Sequence, residues 1–533
     1  MLNVLYIMCD QLRFDYLGCY GHAHLKTPNL DALAADGTRF TNAYVQSPIC
    51  GPSRMSSYTG RYPISHGSVG NGYPLRVGEL TLGDHLRPLG VDTVLIGKTH
   101  MRADEEGMER YGIEADSIIG ARLSECGFDV FERDDGLHPG RSDVNTNYND
   151  FLRDKGHKGG NPWHTVANSV ALETNNETGS GWFLKNSNRP ALVEDAESET
   201  PYLTNQFIQF LDSRNGKDGW LCHLSFIKPH WPYIVPAPYH DMYGPETWQP
   251  PVRNPAERDA PHPVYSAFMD HRVSQAFSRD EVREAVLPGY MGLIKQIDDQ
   301  MGLLLTELKT RGLWDKTLIV FTSDHGDYLG DHWLGEKDMF HDPSVKVPLI
   351  IRDPRPDAAR GQVSDALVEA IDLAPTFVEI FGGTPAYNRL EGRSLAPLLK
   401  GVIPEDWRKV AFSEYDYAQQ PARHALGQSI RECKIIMACE KYWKLIYFEG
   451  FRPMLFDLQN DPDELTDLGD HPDHHAIREH LIAAIFTWTR RERQRVTVSD
   501  TAVRDYTDTD TVNQGILIGF YDEDELRRYR NDE

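Results

Sequence analysis

Short apolar runs rich in valine, isoleucine and leucine recur along the chain, separated by long helical or irregular stretches. That is the spacing of a parallel sheet joined by crossover helices, and it predicts an α/β fold. Five runs predict core strands: Asn3 to Cys9, Asp92 to Ile96, Trp220 to Ile227, Thr317 to Thr322 and Val347 to Ile351. The first four each run into charged or metal-competent side chains: Asp10 and Gln11, Lys98 and His100, Lys228 and His230, Asp324 and His325. In an open parallel sheet the ligand crevice lies outside the carboxyl ends of the strands, so this pattern predicts one polar site assembled from distant segments. Thr27-Pro28-Asn29-Leu30, followed by Leu33, Ala34 and Gly37, predicts a helix stopped by glycine. The stretch from Asp104 to Pro201, rich in Gly, Asn, Asp and Ser, is too long for an ordinary connection and predicts a lid or wall over the site. Beyond Pro404, Glu432 to Phe448 and Met454 to Leu458 predict antiparallel strands. A turn at Asn460-Asp461-Pro462-Asp463 and a closing amphipathic helix from Ala476 to Arg490 follow them.

Composition fits this layout and narrows the partners. The 533 residues are 40% apolar, with 55 Lys+Arg against 80 Asp+Glu and a net charge of −25, as in an acidic globular protein. The expected organisation is a catalytic domain over 1–400, a smaller α+β domain over 401–499, and a polar tail over 500–533. The tail holds an apolar island, Ile516 to Tyr521, expected to dock on this subunit or on another in a homo-oligomer. The negative field argues against nucleic acid and anionic lipid, and any small anionic substrate needs a local basic patch. No window approaches the roughly 20 apolar residues of a spanning helix, and Leu2 to Cys9 lacks a basic flank and a cleavage site. A cytoplasmic location is expected. The seven cysteines are scattered and form no C-x-x-C pair, so neither a disulfide framework nor a zinc ribbon is indicated.

The sharpest local signal is Cys50-Gly51-Pro52-Ser53-Arg54, continued by Thr59-Gly60-Arg61. Pro52 suits a first helical turn, which sets Cys50 at a helix N-terminus where backbone N–H groups and the dipole favour an anion. Two carboxylates from separate strands, an amide oxygen and an imidazole also make a hard-cation site, with the imidazole tilting the choice towards Mn²⁺ and away from Ca²⁺. Cys-x-Pro-Ser-Arg resembles the signature of the sulfatase family, in which the cysteine is oxidised to Cα-formylglycine. The resemblance runs from Asp10 to the turn near Asp461. It takes in Gly97-Lys98-Thr99-His100, Lys228-Pro229-His230, Asp324-His325 and Lys337.

That resemblance implies an alkaline-phosphatase-like fold, with a mixed, mainly parallel sheet between helices and a C-terminal domain built on an antiparallel sheet. It also implies maturation by a formylglycine-generating enzyme. Asp10, Gln11, Asp324 and His325 would hold one divalent cation beside Cys50. Arg54, Lys98, His100, His230 and Lys337 would surround the sulfuryl or phosphoryl group of a small anionic ester, with Asn71 as a further substrate contact. One hydroxyl of the hydrated aldehyde would attack while His230 or Lys337 protonates the leaving oxygen. His100 would then take a proton from the second hydroxyl as the inorganic group is expelled. Two departures set the chain between two groups. Gln11 and His325 stand where many sulfatases have aspartate and asparagine, which is similar to phosphonate monoester hydrolases, whereas Lys98 and His100 are similar to true sulfatases. The expected activity is a sulfatase with phosphonate monoester and phosphate diester side activity; the alternative is a phosphonate monoester hydrolase or phosphodiesterase in the main.

Three other patterns carry less. Gly97-Lys98-Thr99 lacks the glycine that a phosphate loop needs at position 92, which is aspartate. Asp508-Thr509-Asp510 has Asn513 and Gly519 where a calcium loop needs glycine and glutamate. His471, His474 and His475 lie in a polar turn and read as solvated.

Overall fold

The computed structural model describes residues 1–140, 144–172, 177–491, 496–506, 522 and 524. The tail island at Ile516 to Tyr521 and the Asp508 to Asp510 pattern lie outside the described residues. The strands are β1 (Asn3–Asp10), β2 (Thr38–Tyr44), β3 (Asp92–Gly97), β4 (Asp129–Arg133), β5 (Ser169–Ala171), β6 (Thr178–Ser180), β7 (Trp220–Pro229), β8 (Thr317–Ser323), β9 (Leu349–Arg352) and β10 (Gln362–Glu369). Then come β11 (Ala411–Asp416), β12 (Lys434–Cys439), β13 (Trp443–Phe448) and β14 (Met454–Asp457).

Eight strands form the main sheet in the order β10-β2-β9-β8-β1-β7-β3-β4. Strands β8, β1, β7 and β3 run parallel side by side. These are the four runs whose ends carry the chemistry. Every residue of β1, β7 and β8 is buried, as a strand covered on both faces requires. The pleat divides β1 between two layers. Leu5, Ile7 and Cys9 pack with Ile294, Ile297 and Leu304 of the long helix Asp280–Thr310. Val4, Tyr6 and Met8 pack with Met55 and Tyr58 of the helix Cys50–Thr59 and with Phe377 of the helix Leu373–Ile380.

The fifth predicted strand differs in direction. Strand β9 runs antiparallel to both β2 and β8, so the sheet is mixed. Strand β2 carries Thr, Arg and Asn among its apolar residues, a pattern too weak to predict a strand from sequence. The helix Pro28–Ala35 forms as expected, with proline in its first turn. Gly37 serves another purpose than a left-handed stop: a Cβ there would lie 2.5 Å from the Ile351 carbonyl oxygen, so glycine permits the close approach of β9. The stretch between Asp104 and Pro201 is not a structureless loop. It holds the helices Glu105–Arg110, Ile118–Ser124 and Asn147–Asp154 along with β4 to β6.

The second sheet, β11-β12-β13-β14, is antiparallel throughout. One face is covered by the helix His475–Arg491 through Leu481, Ile485 and Trp488. The other face, with Ile435, Met437 and Phe456, continues the apolar layer that holds Val4 and Tyr6. Among the described residues no helix is long and apolar enough to cross a membrane.

Candidate active site

The parallel register sets the strand ends level: Cys9 pairs with Ser323, Asp10 with Pro229, and Gly97 with Ser225. Beyond that edge the chain turns sharply. Gln11 (φ 66°) and His100 (φ 58°) adopt left-handed backbone conformations that non-glycine residues rarely take without support from neighbours. The support is visible at both. The Gln11 N–H donates to Asp324 Oδ1 (3.1 Å), and its carbonyl accepts from the Tyr290 hydroxyl (2.9 Å). The N–H groups of Thr99 and His100 both donate to Asp135 Oδ1 (3.0 Å each), and Arg133 holds the other carboxylate oxygen at 2.5 and 3.1 Å.

Cys50 opens the helix Cys50–Thr59, all ten residues of which are buried. Its Sγ lies 3.0 Å from Lys337 Nζ, 3.1 Å from His325 Nε2 and 3.7 Å from Asp10 Oδ1. Burial opposes ionisation of this thiol. The charge of Lys337, followed by His325 and Lys98, nevertheless holds it well below the usual thiol range. Asp10 is likewise penalised by burial and by Cys50, yet Lys98 and, after it, Arg54 hold it well below the ordinary carboxylate value. Lys98 Nζ is 2.5 Å from Asp10 Oδ2. Burial lowers Lys98 and Lys337, but Asp10 for the first and Cys50 for the second raise both above the ordinary lysine value.

Three side chains stand otherwise than expected. Arg54, fully buried, gives Nε to Asp324 Oδ2 (2.7 Å), one terminal nitrogen to Asp10 Oδ2 (3.3 Å), and the other to Ser225 Oγ (2.7 Å) and the Lys98 carbonyl (3.1 Å). It clamps the two carboxylates instead of facing open substrate space. Asn71 is exposed, and its Oδ1 accepts from the Gly51 N–H at 2.8 Å, so it props the first turn of the Cys50 helix. Lys228, at the end of β7, turns to Glu199 (3.4 Å) and the Pro232 carbonyl, away from the other strand ends.

The two histidines have assignable tautomers, because a carbonyl oxygen can only accept. Nδ1–H of His325 donates to the Gly326 carbonyl (2.8 Å) and Nδ1–H of His230 to the Trp231 carbonyl (2.7 Å). Each therefore turns Nε2 into the site. Burial pushes His230 down to about 4 against the pull of Asp10, so it is neutral at neutral pH. Its Nε2 accepts from Lys337 at 3.3 Å.

Ligand atoms of Asp10, Cys50, Asp324 and His325 all lie within 4.8 Å of one another, and no other such group occurs among the described residues. The donor chemistry fits a divalent cation: two carboxylates, and an imidazole whose other nitrogen is tied to a backbone carbonyl, the usual arrangement behind a metal-bound histidine. Gln11 adds an inward Oε1, 3.2 Å from Lys337 Nζ. Ser225, Asp135, Asp327 and Tyr233, which support these groups, were not legible in the sequence, since nothing in their spacing distinguishes them from core polar residues.

A buried thiol at a helix N-terminus, beside lysines and a candidate cation-binding set at the carboxyl edge of a parallel sheet, fits a hydrolase of alkaline-phosphatase-like fold. Residues 2–383 match the sulfatase family model, and residues 330–491 match that of the N-sulphoglucosamine sulphohydrolase C-terminal region. The chain belongs to the sulfatase family. It is 32% identical over 516 residues to the multifunctional alkaline phosphatase superfamily protein PehA of Trinickia caryophylli, covering 91% of this chain and 95% of that one. It is 28% identical to an arylsulfatase of Clostridium perfringens, covering 87% and 90%. The solved phosphonate monoester hydrolase of Silicibacter pomeroyi superposes with a TM-score of 0.81 at 30% identity, over 93% of this chain and 96% of that one.

Proposed function

We propose that the protein hydrolyses sulfate monoesters with Cys50, converted to formylglycine, as nucleophile, and that it also accepts phosphonate monoesters and phosphate diesters. The observation that carries this reading is the convergence of Lys337, His325 and Asp10 on one buried atom, Cys50 Sγ, with Lys98 on the Asp10 carboxylate. Asp10, Gln11, Asp324 and His325 would hold the cation, which when bound supplies a fixed positive charge for the oxyanion. Mn²⁺ suits the nitrogen donor better than Ca²⁺ does. The hydrated aldehyde would supply two hydroxyls, one to attack and one whose deprotonation releases the inorganic product.

The remaining work falls to the chain's own side chains. Lys98 and Lys337 neutralise the anion in a site screened from water, where each such contact removed costs about 3–4 kcal/mol of barrier. Lys337 is the better donor to the leaving oxygen, because it carries protons towards position 50 while neutral His230 offers only a lone pair there. His100 would take the proton from the second hydroxyl. Its Nδ1 is buried without a hydrogen-bond partner.

A second reading, phosphonate monoester hydrolysis as the main activity, is favoured by Gln11 and His325 and by the likeness to the Silicibacter pomeroyi phosphonate monoester hydrolase. Turnover of an aryl sulfate, an aryl phosphonate monoester and a phosphate diester with the same leaving group decides between the two. The first reading expects the sulfate to have the highest kcat/KM. A phosphonate faster by tenfold or more reverses the order, and no turnover of any of the three removes both.

A further inference from the structure

Gln11 faces a difficulty that an aspartate in its place would not. Either oxygen of a carboxylate can meet a cation, whereas one end of an amide repels it with two N–H donors. The amide is sorted here. Its Oε1 turns towards Lys337 Nζ (3.2 Å), which itself lies 3.0 Å from Cys50 Sγ, while Nε2 turns back onto Asp327 Oδ2 (2.6 Å) and the Tyr233 hydroxyl (3.1 Å). Tyr233 in turn donates to the same Asp327 oxygen at 2.6 Å, and Asp327 Oδ1 accepts from the Leu329 N–H at 3.0 Å. Asp327 is fully buried and Tyr233 nearly so. Among the described residues no lysine or arginine side chain bonds the Asp327 carboxylate; Arg13 reaches only its backbone carbonyl. Burying an unpaired carboxylate is expensive, and this one is held by donors alone, two of them aimed at sorting the amide.

We infer that Asp327, seconded by Tyr233, is a positioning residue that keeps the Gln11 amide oxygen presented to the cation site. The inference rests on the cation-binding role proposed above for Gln11. Asp327 acts only through the amide's polarity, so its value depends on the residue at position 11. An asparagine at 327 can accept from Leu329 N–H or from the Gln11 amide, but not from both, which frees the amide to turn. Once position 11 carries a carboxylate, there is no polarity to sort, and the Asp327 charge becomes a like-charge neighbour.

The test is Mn²⁺ affinity, measured by calorimetry on the chelator-stripped full chain, for the wild type, Asp327→Asn, Gln11→Asp and the double variant. Asp327→Asn is expected to weaken Mn²⁺ binding about 10- to 100-fold in the wild-type background. In the Gln11→Asp background the same change is expected to leave binding within about twofold or to tighten it. Equal weakening in both backgrounds overturns the inference, because Asp327 would then act as a remote negative charge. Wild-type binding that Asp327→Asn leaves unmoved overturns it alone, while a wild type that binds no Mn²⁺ overturns the cation reading and this inference with it. Should Asp327→Asn fail to fold, Tyr233→Phe carries the test: weaker binding with Gln11 and none of that loss with Gln11→Asp is expected, and equal loss in both is the overturning result.

Discussion

Replacing Cys50 with alanine is expected to abolish turnover, by on the order of 10⁴-fold or more, while leaving the fold intact. The thiol is 1% exposed, but it is one atom at the first turn of a helix whose remaining nine residues stay packed, so the stability cost is about 1 kcal/mol. Asp10, Gln11, Asp324 and His325 are untouched by the change and should still bind a cation. Kinetics and a thermal melt of Cys50→Ala, read beside the mass of the wild-type Cys50 peptide, make the check. Near-normal rates in the variant would refute a nucleophile at position 50. A fully active wild type carrying only thiol would leave the nucleophile and remove the aldehyde.

The second large effect concerns stability. Arg54 lies between Asp10 and Asp324 with all three side chains wholly buried, and Arg54→Ala leaves two carboxylates in the interior without it. Breaking such a group by removing one member costs about 3–5 kcal/mol. The pH dependence has a definite sign. In the wild type, Asp10 is depressed on folding, so its contribution is present above the unfolded carboxylate value of about 4 and is lost as pH falls below it. In Arg54→Ala, Asp10 keeps Lys98 but loses one of the charges that hold it down, so less of that contribution remains at neutral pH and the variant has less to lose on acidification. The gap between the two proteins in urea midpoint, measured without added metal, should be wide at pH 7 and should narrow as pH falls below about 4. A gap independent of pH would mean that packing, not charge, accounts for the loss.

Much of the sheet was legible because central parallel strands are apolar on both faces. Asn3 to Cys9, Trp220 to Ile227 and Thr317 to Thr322 match their strands to within two residues. The outer strands β2 and β10 escaped notice because they mix polar and apolar positions, and the reversed direction of β9 cannot be read from composition. The site was legible as residue types at strand ends, and the structure brings Asp10, Lys98, His230, Asp324, His325 and Lys337 together around Cys50. Orientation was not legible. That Arg54 grips carboxylates, that Asn71 props a helix and that the Gln11 amide is sorted by Asp327 are facts of side-chain geometry, which spacing along a chain does not encode.

The burial of the Cys50 helix bears on the order of events in the life of the protein. No residue of that first turn reaches the surface, and its thiol is wedged among groups from sequence positions as far apart as 10 and 337. If Cys50 is oxidised as proposed above, the oxidising enzyme needs access to the thiol, which the closed molecule does not offer. Conversion at position 50 would therefore belong to the nascent or unfolded chain, and a molecule that closed first would remain a thiol.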